Sequence, residues 1–487
     1  MRKSAPLHLK SAVELAKLLR KRKLGARELL DHCWQRYEKH NPRLNAIILT
    51  DIERARKAAL ASDKRLKAGK SRGPFEGVPM TIKESFDLTG TPSTWGAPAH
   101  RNNIALSDAV AVRRMQEGGA IIYGKTNVPL MLADWQSFND IYGTTSNPWD
   151  VTRSPGGSSG GSAVALATGM SALEIGSDIG ASIRNPAHYC GVCGHKPTYG
   201  IVPMRGHFLP GVFAASDISV AGPLARSAGD LAVAMELLAG PDGPEAKAIR
   251  YRLAAPRHKK LKDFRIAIML NDPVSDVDQP VQDLISSLAD WLETRVKTLS
   301  MTARPDFSSQ EAWDVYVKLL RSATSRRQTD EEFHSNMEKA RALQPGDESY
   351  FAKMLRAYTI FHRDWLGVNN RRHAMQLAWG AFFADYDLLL CPTAASAAFP
   401  HDHAGERHER TIIVNGRKVP AVDQLFWAGY SGAFHLPSTV APIGLTPTRL
   451  PVGIQIIAAL HEDLTAIHFA SLLERDYYSF TPPPDFA

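Results

Sequence analysis

Two serine clusters set in glycine, a short apolar run apart, constrain this chain more than any other feature. Residues 154–197 read SPGGSSGGSAVALATGMSALEIGSDIGASIRNPAHYCGVCGHKP. Because glycine lacks a Cβ, the clusters around Ser158 and Ser182 let the backbone come within hydrogen-bonding range of other groups. Between them, residues 163–170 are apolar enough to predict a buried helix that fixes the separation of the two loops. Serines are usually solvated, so these alone imply little. A third segment, GVPMTIKE at 77–84, changes that by placing a lone lysine, Lys83, after a short apolar stretch where burial is expected.

These segments, with GKTNVP at 124–129, SNPWD at 146–150, CGVCGHKPTYG at 190–200 and LPVGIQIIA at 450–458, resemble the amidase signature hydrolases. The matches fall in order over residues 11–463, which makes chance agreement a poor explanation. The resemblance implies a three-layer α/β/α fold with a central mixed twisted sheet covered by helices. It also implies N-terminal helices at 1–70 packed on a main domain at 71–487, with a variable helical segment at about 305–385 near the substrate entrance. Carried over by motif, Ser182 is the nucleophile, Ser158 the serine on a cis peptide bond, and Lys83 the base. No metal or organic cofactor is implied.

The chemistry gives its own reason for these residue types. A serine hydroxyl is a weak nucleophile, and a neighbouring base must take its proton as it attacks. Lysine can be that base only when burial or cationic neighbours keep it neutral, a condition that Val78, Met80 and Ile82 favour at Lys83. Ser158 would then relay the proton, since a hydroxyl both donates and accepts. The backbone N–H groups of Ile179, Gly180, Ala181 and Ser182 are expected to form the oxyanion hole.

Here the chain departs from the family pattern, which has two glycines before the nucleophile where this sequence has Gly180 and Ala181. A small side chain is expected to satisfy that position without a positive φ. The resemblance places Leu130, Met131, Leu132 and Trp135 on the acyl pocket, while their apolar character alone fits core packing equally well. Ser159 joins them as a substrate-binding residue. Asp178 and Arg184 read as braces of the oxyanion loop.

Several patterns point elsewhere and are weaker. GAIIYGKT, from Gly119 to Thr126, satisfies the phosphate-loop pattern literally. Its variable positions, however, read as a buried strand rather than a turn. Cys190 and Cys193 lie between His188 and His195, yet structural zinc draws on two separated ligand pairs, and small buried thiols are the expected state. No Ser-x-x-Lys pair occurs, and Ser182 does not stand in a Gly-x-Ser-x-Gly elbow.

Bulk properties narrow the setting. The 487 residues carry a formal charge of +8, but the basic residues are scattered and no aromatic-basic RNA motif appears, so no nucleic-acid partner is expected. Four cysteines make no disulfide framework in a chain of this length, which suits a cytoplasmic location. No run approaches a membrane span. Near the N-terminus, Leu7, Leu9, Val13, Leu15, Leu18 and Leu19 recur at helical spacing, which predicts an amphipathic helix rather than a secretion signal.

Together these readings predict a serine hydrolase of linear amides, with esters and carbamates as further substrates, acting on a small molecule and compatible with a homodimer. Two alternatives stand beside it. One keeps the fold and makes the chain the glutaminase component of a tRNA-dependent amidotransferase. The other is a nucleotide-binding protein using residues 119–126.

Overall fold

A computed structural model describes residues 6–487; the first five residues of the N-terminal helical segment lie outside it. At that end the leucine periodicity covers two elements instead of one helix. Leu7–Leu9 forms a 3-10 turn, the chain extends at Lys10 and Ser11, and helix Ala12–Arg20 starts there. Ser11 accepts from the Glu14 N–H while Glu14 accepts from the Ser11 N–H, a capping box that sets the start of the helix.

The centre is an eight-stranded mixed sheet. Its strands run in space Thr298–Ser300, Arg265–Ile268, Leu388–Pro392, Pro451–Ala458, Ser438–Leu445, Cys193–Lys196, Val220–Ala225 and Leu173–Asp178. The first three are parallel to one another and every later pair is antiparallel. Apart from the edge strand Thr298–Ser300, each is buried along all or nearly all of its length, as expected for a sheet covered by helices on both faces. The layered arrangement is the three-layer α/β/α fold expected from the motifs.

A second, three-stranded sheet was not foreshadowed. Ile121–Thr126 lies between Ile47–Thr50 and Pro79–Lys83. Of the variable positions of the phosphate-loop pattern, Ile121 and Ile122 are therefore ladder residues and Tyr123 continues the strand, and Lys125 turns inward to the Pro92 carbonyl and Ser93 Oγ. This small sheet packs its Pro79–Lys83 strand against Leu173–Asp178 of the large one. That contact brings Lys83 to the serine clusters.

The predicted buried helix is present as Gly160–Ala167, all of it buried and set three residues earlier than its apolar run suggests. Gly161 faces the Asn127 backbone so closely that a Cβ would collide with it, which lets the helix begin inside the glycine cluster. The segment at 305–385 is four helices, Ser309–Ser325, Asp330–Arg341, Tyr350–Tyr358 and His362–Asp385. No helix among the described residues is long and apolar enough to cross a membrane.

Candidate active site

Each serine of interest sits where one element hands over to the next. Ser158 and Ser159 precede helix Gly160–Ala167, and Ser182 lies in the turn between strand Leu173–Asp178 and helix Arg184–Cys190. The Ser159 N–H donates to the Ser182 carbonyl at 3.1 Å, tying the two loops together. The Gly157–Ser158 peptide is cis. A Cβ on Gly157 would be driven into the Asp134 carbonyl oxygen, so only glycine fits at that close approach.

Lys83 is fully buried, and its Nζ lies 2.7 Å from Ser158 Oγ and 3.0 Å from Ser177 Oγ. The Ser177 carbonyl is 3.4 Å away. Burial drives the lysine well below its ordinary pKa; Asp178 and Glu84 pull it back up, and Arg327 pushes it further down. Among the described residues two other lysines are buried, but Lys125 donates to a carbonyl and one hydroxyl, and Lys196 to the Pro197 carbonyl. Among these three, Lys83 alone touches a serine of the glycine clusters. Ser177 was not singled out from the sequence; its position on the strand running into Asp178 was the available signal.

The loop before Ser182 is held from both sides. Burial alone would raise the Asp178 carboxyl, but the Arg184 guanidinium beside it holds it below its usual range. Arg184 donates Nε to Oδ2 at 3.0 Å and Nη2 to Oδ1 at 2.8 Å. The carboxylate also accepts from the N–H groups of Ala181 at 3.0 Å and Ile183 at 3.1 Å. On the other side Tyr316 donates its hydroxyl to the Ile179 carbonyl at 3.0 Å, and Trp135 its indole N–H to the Gly180 carbonyl at 2.7 Å.

A trans peptide points its N–H opposite its C=O, so these two bonds orient the N–H groups of Gly180 and Ala181. Of the four N–H groups expected to form an oxyanion hole, that of Ala181 is engaged by Asp178. Those of Ile179, Gly180 and Ser182 have no protein acceptor among the described residues.

The buried Arg184–Asp178 pair yields a stability prediction. Arg184 also donates to Gln455 Oε1 at 2.6 Å, Ser431 Oγ at 2.9 Å and the Ala428 carbonyl at 3.0 Å. Arg184→Met strands a buried carboxylate and is expected to cost about 3–5 kcal/mol, read as a shift of the urea midpoint.

Ala181 corrects the expectation about φ. Its φ is +65°, so the position does use the left-handed region that glycine adopts freely. The strain of about 1–2 kcal/mol that glycine would relieve is offset by a buried methyl group worth about 0.8 kcal/mol and by glycine's extra chain entropy of about 0.5–1 kcal/mol. Ala181→Gly is therefore expected to leave stability within about 1 kcal/mol. Ala181→Val, β-branched at positive φ in a buried site, should lose about 3 kcal/mol or more by the same urea measurement.

In front of this loop opens a cavity of about 960 Å³, with Ser182, Ile179 and Gly180 among its lining residues. Leu130, Met131, Leu132 and Trp135 all line it, whereas Ser159 does not; its Oγ is buried without a partner. Met131 and Leu132 both have positive φ, near +53°. They are held by the Met131 N–H on the Trp95 carbonyl at 2.7 Å and by Arg327 Nη1 on the Met131 carbonyl at 2.9 Å. Three of the helices at 305–385 supply lining residues, among them Leu320, Arg321, Lys339 and Tyr358.

The cysteines and histidines behind the site are spent on structure. Cys190 Sγ donates to the Pro155 carbonyl at 3.4 Å, and burial raises both the Cys190 and Cys193 thiols. His195 lies between Thr439 Oγ1 and Asp463 Oδ1, and His188 contacts the Gly453 and Ser396 carbonyls.

The family model described as Amidase matches residues 28–465. Indoleacetamide hydrolase of Bradyrhizobium diazoefficiens is 31% identical over 95% of this chain and 86% of its own length. A glutamyl-tRNA(Gln) amidotransferase subunit from a Picosynechococcus strain is also 31% identical, over 90% of this chain and 92% of its own. Among solved structures, a bacterial aryl acylamidase of the amidase signature family superposes with a TM-score of 0.81 at 25% identity, covering 97% of each chain. A family model spanning nine-tenths of the chain, the shared fold and a lysine meeting a serine inside the glycine cluster lead to one assignment: the chain belongs to the amidase family, and it is an amidase signature hydrolase acting on amides.

Proposed function

We propose that the chain hydrolyses the carbon-nitrogen bond of linear amides through an acyl-enzyme on Ser182. The observation that carries this reading is the 2.7 Å contact between Lys83 Nζ and Ser158 Oγ in a fully buried setting that favours the neutral amine. Ser182 Oγ attacks the carbonyl carbon and gives its proton to Ser158 Oγ, while the Ser158 proton passes to Lys83 Nζ. The carbonyl oxygen, now negative, is received by the free N–H groups of Ile179, Gly180 and Ser182, with Ala181 committed to bracing.

The lysine returns its proton through Ser158 to the departing nitrogen as the C–N bond breaks, leaving the acyl group on Ser182. Water then attacks by the same route, and the acid is released. Esters and carbamates fit the same path because attack at the carbonyl sets the first step. The N-terminal helices and the body at 71–487 work as one unit in this reading, and the helices at 305–385 roof the substrate.

A relative named for indoleacetamide and another named for a tRNA amidotransferase frame the test. The purified chain alone should turn over simple aryl and alkyl amides at a steady rate and should be labelled on Ser182 by a fluorophosphonate. Turnover only of glutamine, and only in a complex, would replace this reading with the partner-dependent glutaminase.

A further inference from the structure

Five cationic and five acidic side chains line the cavity in front of Ser182, yet three of its arginines stand without a carboxylate partner among the described residues. Arg321, Arg327 and Arg407 line it, and among the described residues none of the three forms an ion pair. Arg321 is 4% exposed and gives Nε and Nη2 to a single neutral oxygen, the Tyr350 hydroxyl, with its guanidinium 5.3 Å from the Tyr350 ring centre. Arg327 spends one N–H on the Met131 carbonyl and stands 5.5 Å over the Trp95 ring. No hydrogen bond to protein is formed by the Arg407 guanidinium among the described residues.

Asp134 forms its ion pair with Arg410 at 2.5 Å, and Arg407 feels its charge only at longer range. Glu331, Glu332 and Glu406, with Lys339, are exposed at the rim, and Asp402 caps the Ala404 N–H. The three arginines also feel one another: burial and then the neighbouring Arg407 lower Arg327 to about 10, and burial and then Arg321 lower Arg407.

Arg321 is buried and Arg327 and Arg407 are half-buried, and a charge withdrawn from water without a counter-ion is costly. A guanidinium offers forked N–H donors that match a carboxylate edge to edge. We propose that Arg321, Arg327 and Arg407 form a subsite for a carboxylate, so that the favoured amide carries a free carboxylate in addition to its scissile bond. This rests on the reading of Ser182 as the nucleophile, because it makes the cavity the substrate site. Trp95 and the 130–132 loop then have a second task, since both hold Arg327 in place.

The test separates binding from turnover. Monoanilides of linear dicarboxylic acids, four to eight carbons long, are compared with neutral matches ending in a methyl ketone, by calorimetry on the Ser182→Ala protein. The carboxylate form is expected to bind at least tenfold tighter at its best length. That ratio should fall to about threefold or less when Arg327→Gln or Arg407→Gln is added, with circular dichroism showing the fold retained. Equal affinity for both forms, or a ratio untouched by both substitutions, overturns the proposal. Inorganic phosphate binding more tightly than every carboxylate overturns the choice of anion. If the unmutated enzyme hydrolyses neither ligand while the binding preference and its loss are seen, the subsite stands and the acyl-enzyme reading falls.

Discussion

Ser182→Ala is expected to reduce kcat/KM by about 10⁴–10⁶-fold, the range seen when a covalent nucleophile is removed from a site whose other parts remain. Fold should be untouched. Ser182 is 5% exposed, and its Oγ has no hydrogen-bond partner in the protein among the described residues, so stability should stay within about 1 kcal/mol. The neighbouring hydroxyls grade the effect. Ser158→Ala breaks the contact with Lys83 and should cost nearly as much, whereas Ser177→Ala removes one of two hydroxyls at Nζ and should cost about tenfold. Initial rates with an aryl amide, paired with thermal melts, give both readouts. A Ser182→Ala enzyme keeping a tenth of its activity would move the nucleophile elsewhere.

What the sequence disclosed and what it hid divide along physical lines. Ser158, Ser182, Asp178 and Arg184 sit within one stretch where glycines and a single apolar run encode two turns around a helix, and the family resemblance carried by that stretch is what pointed at the two serines. Lys83 was legible because a lone lysine after a short apolar stretch invites burial, and because the family motif falls on it. The strand at 121–126 was legible against its phosphate-loop disguise because its variable positions are Ala, Ile, Ile and Tyr.

The hidden features depend on tertiary placement. Ser177 is an ordinary strand residue until the small sheet delivers Lys83 to it. Arg321, Arg327 and Arg407 come from a helix, a turn and a distant loop, with no spacing that announces them. The backbone angle of Ala181 could not be read from composition, since its strain nearly cancels against the methyl group it buries. The leucines before Ser11 misled because periodicity records which faces are apolar and says nothing of where the chain bends.

Lys83→Met is expected to do two opposite things, and their pH dependence separates them. Turnover should collapse by about 10³-fold or more, since no other side chain among the described residues bonds to Ser158 Oγ and general base catalysis contributes on the order of 10²–10⁴-fold. In the unmutated enzyme, kcat/KM should rise as pH passes the lowered lysine value and the amine becomes neutral; the Met variant should show no such limb. Stability follows from the same group.

Burial lowers the Lys83 pKa in the fold, whereas the unfolded chain binds the proton up to the ordinary value, so the unfolded state carries the extra proton between the two. Folding stability of the unmutated protein should therefore rise with pH in that window, by up to about 1.4 kcal/mol per unit. The thioether has no proton to lose, while the hydroxyls it leaves unpartnered cost about 1–3 kcal/mol at every pH. The difference between variant and parent should thus shift steadily in favour of the parent as urea melts move from pH 7 to pH 10. A difference that stays flat across that range would mean Lys83 is charged in the folded protein, and a charged lysine cannot take the serine proton.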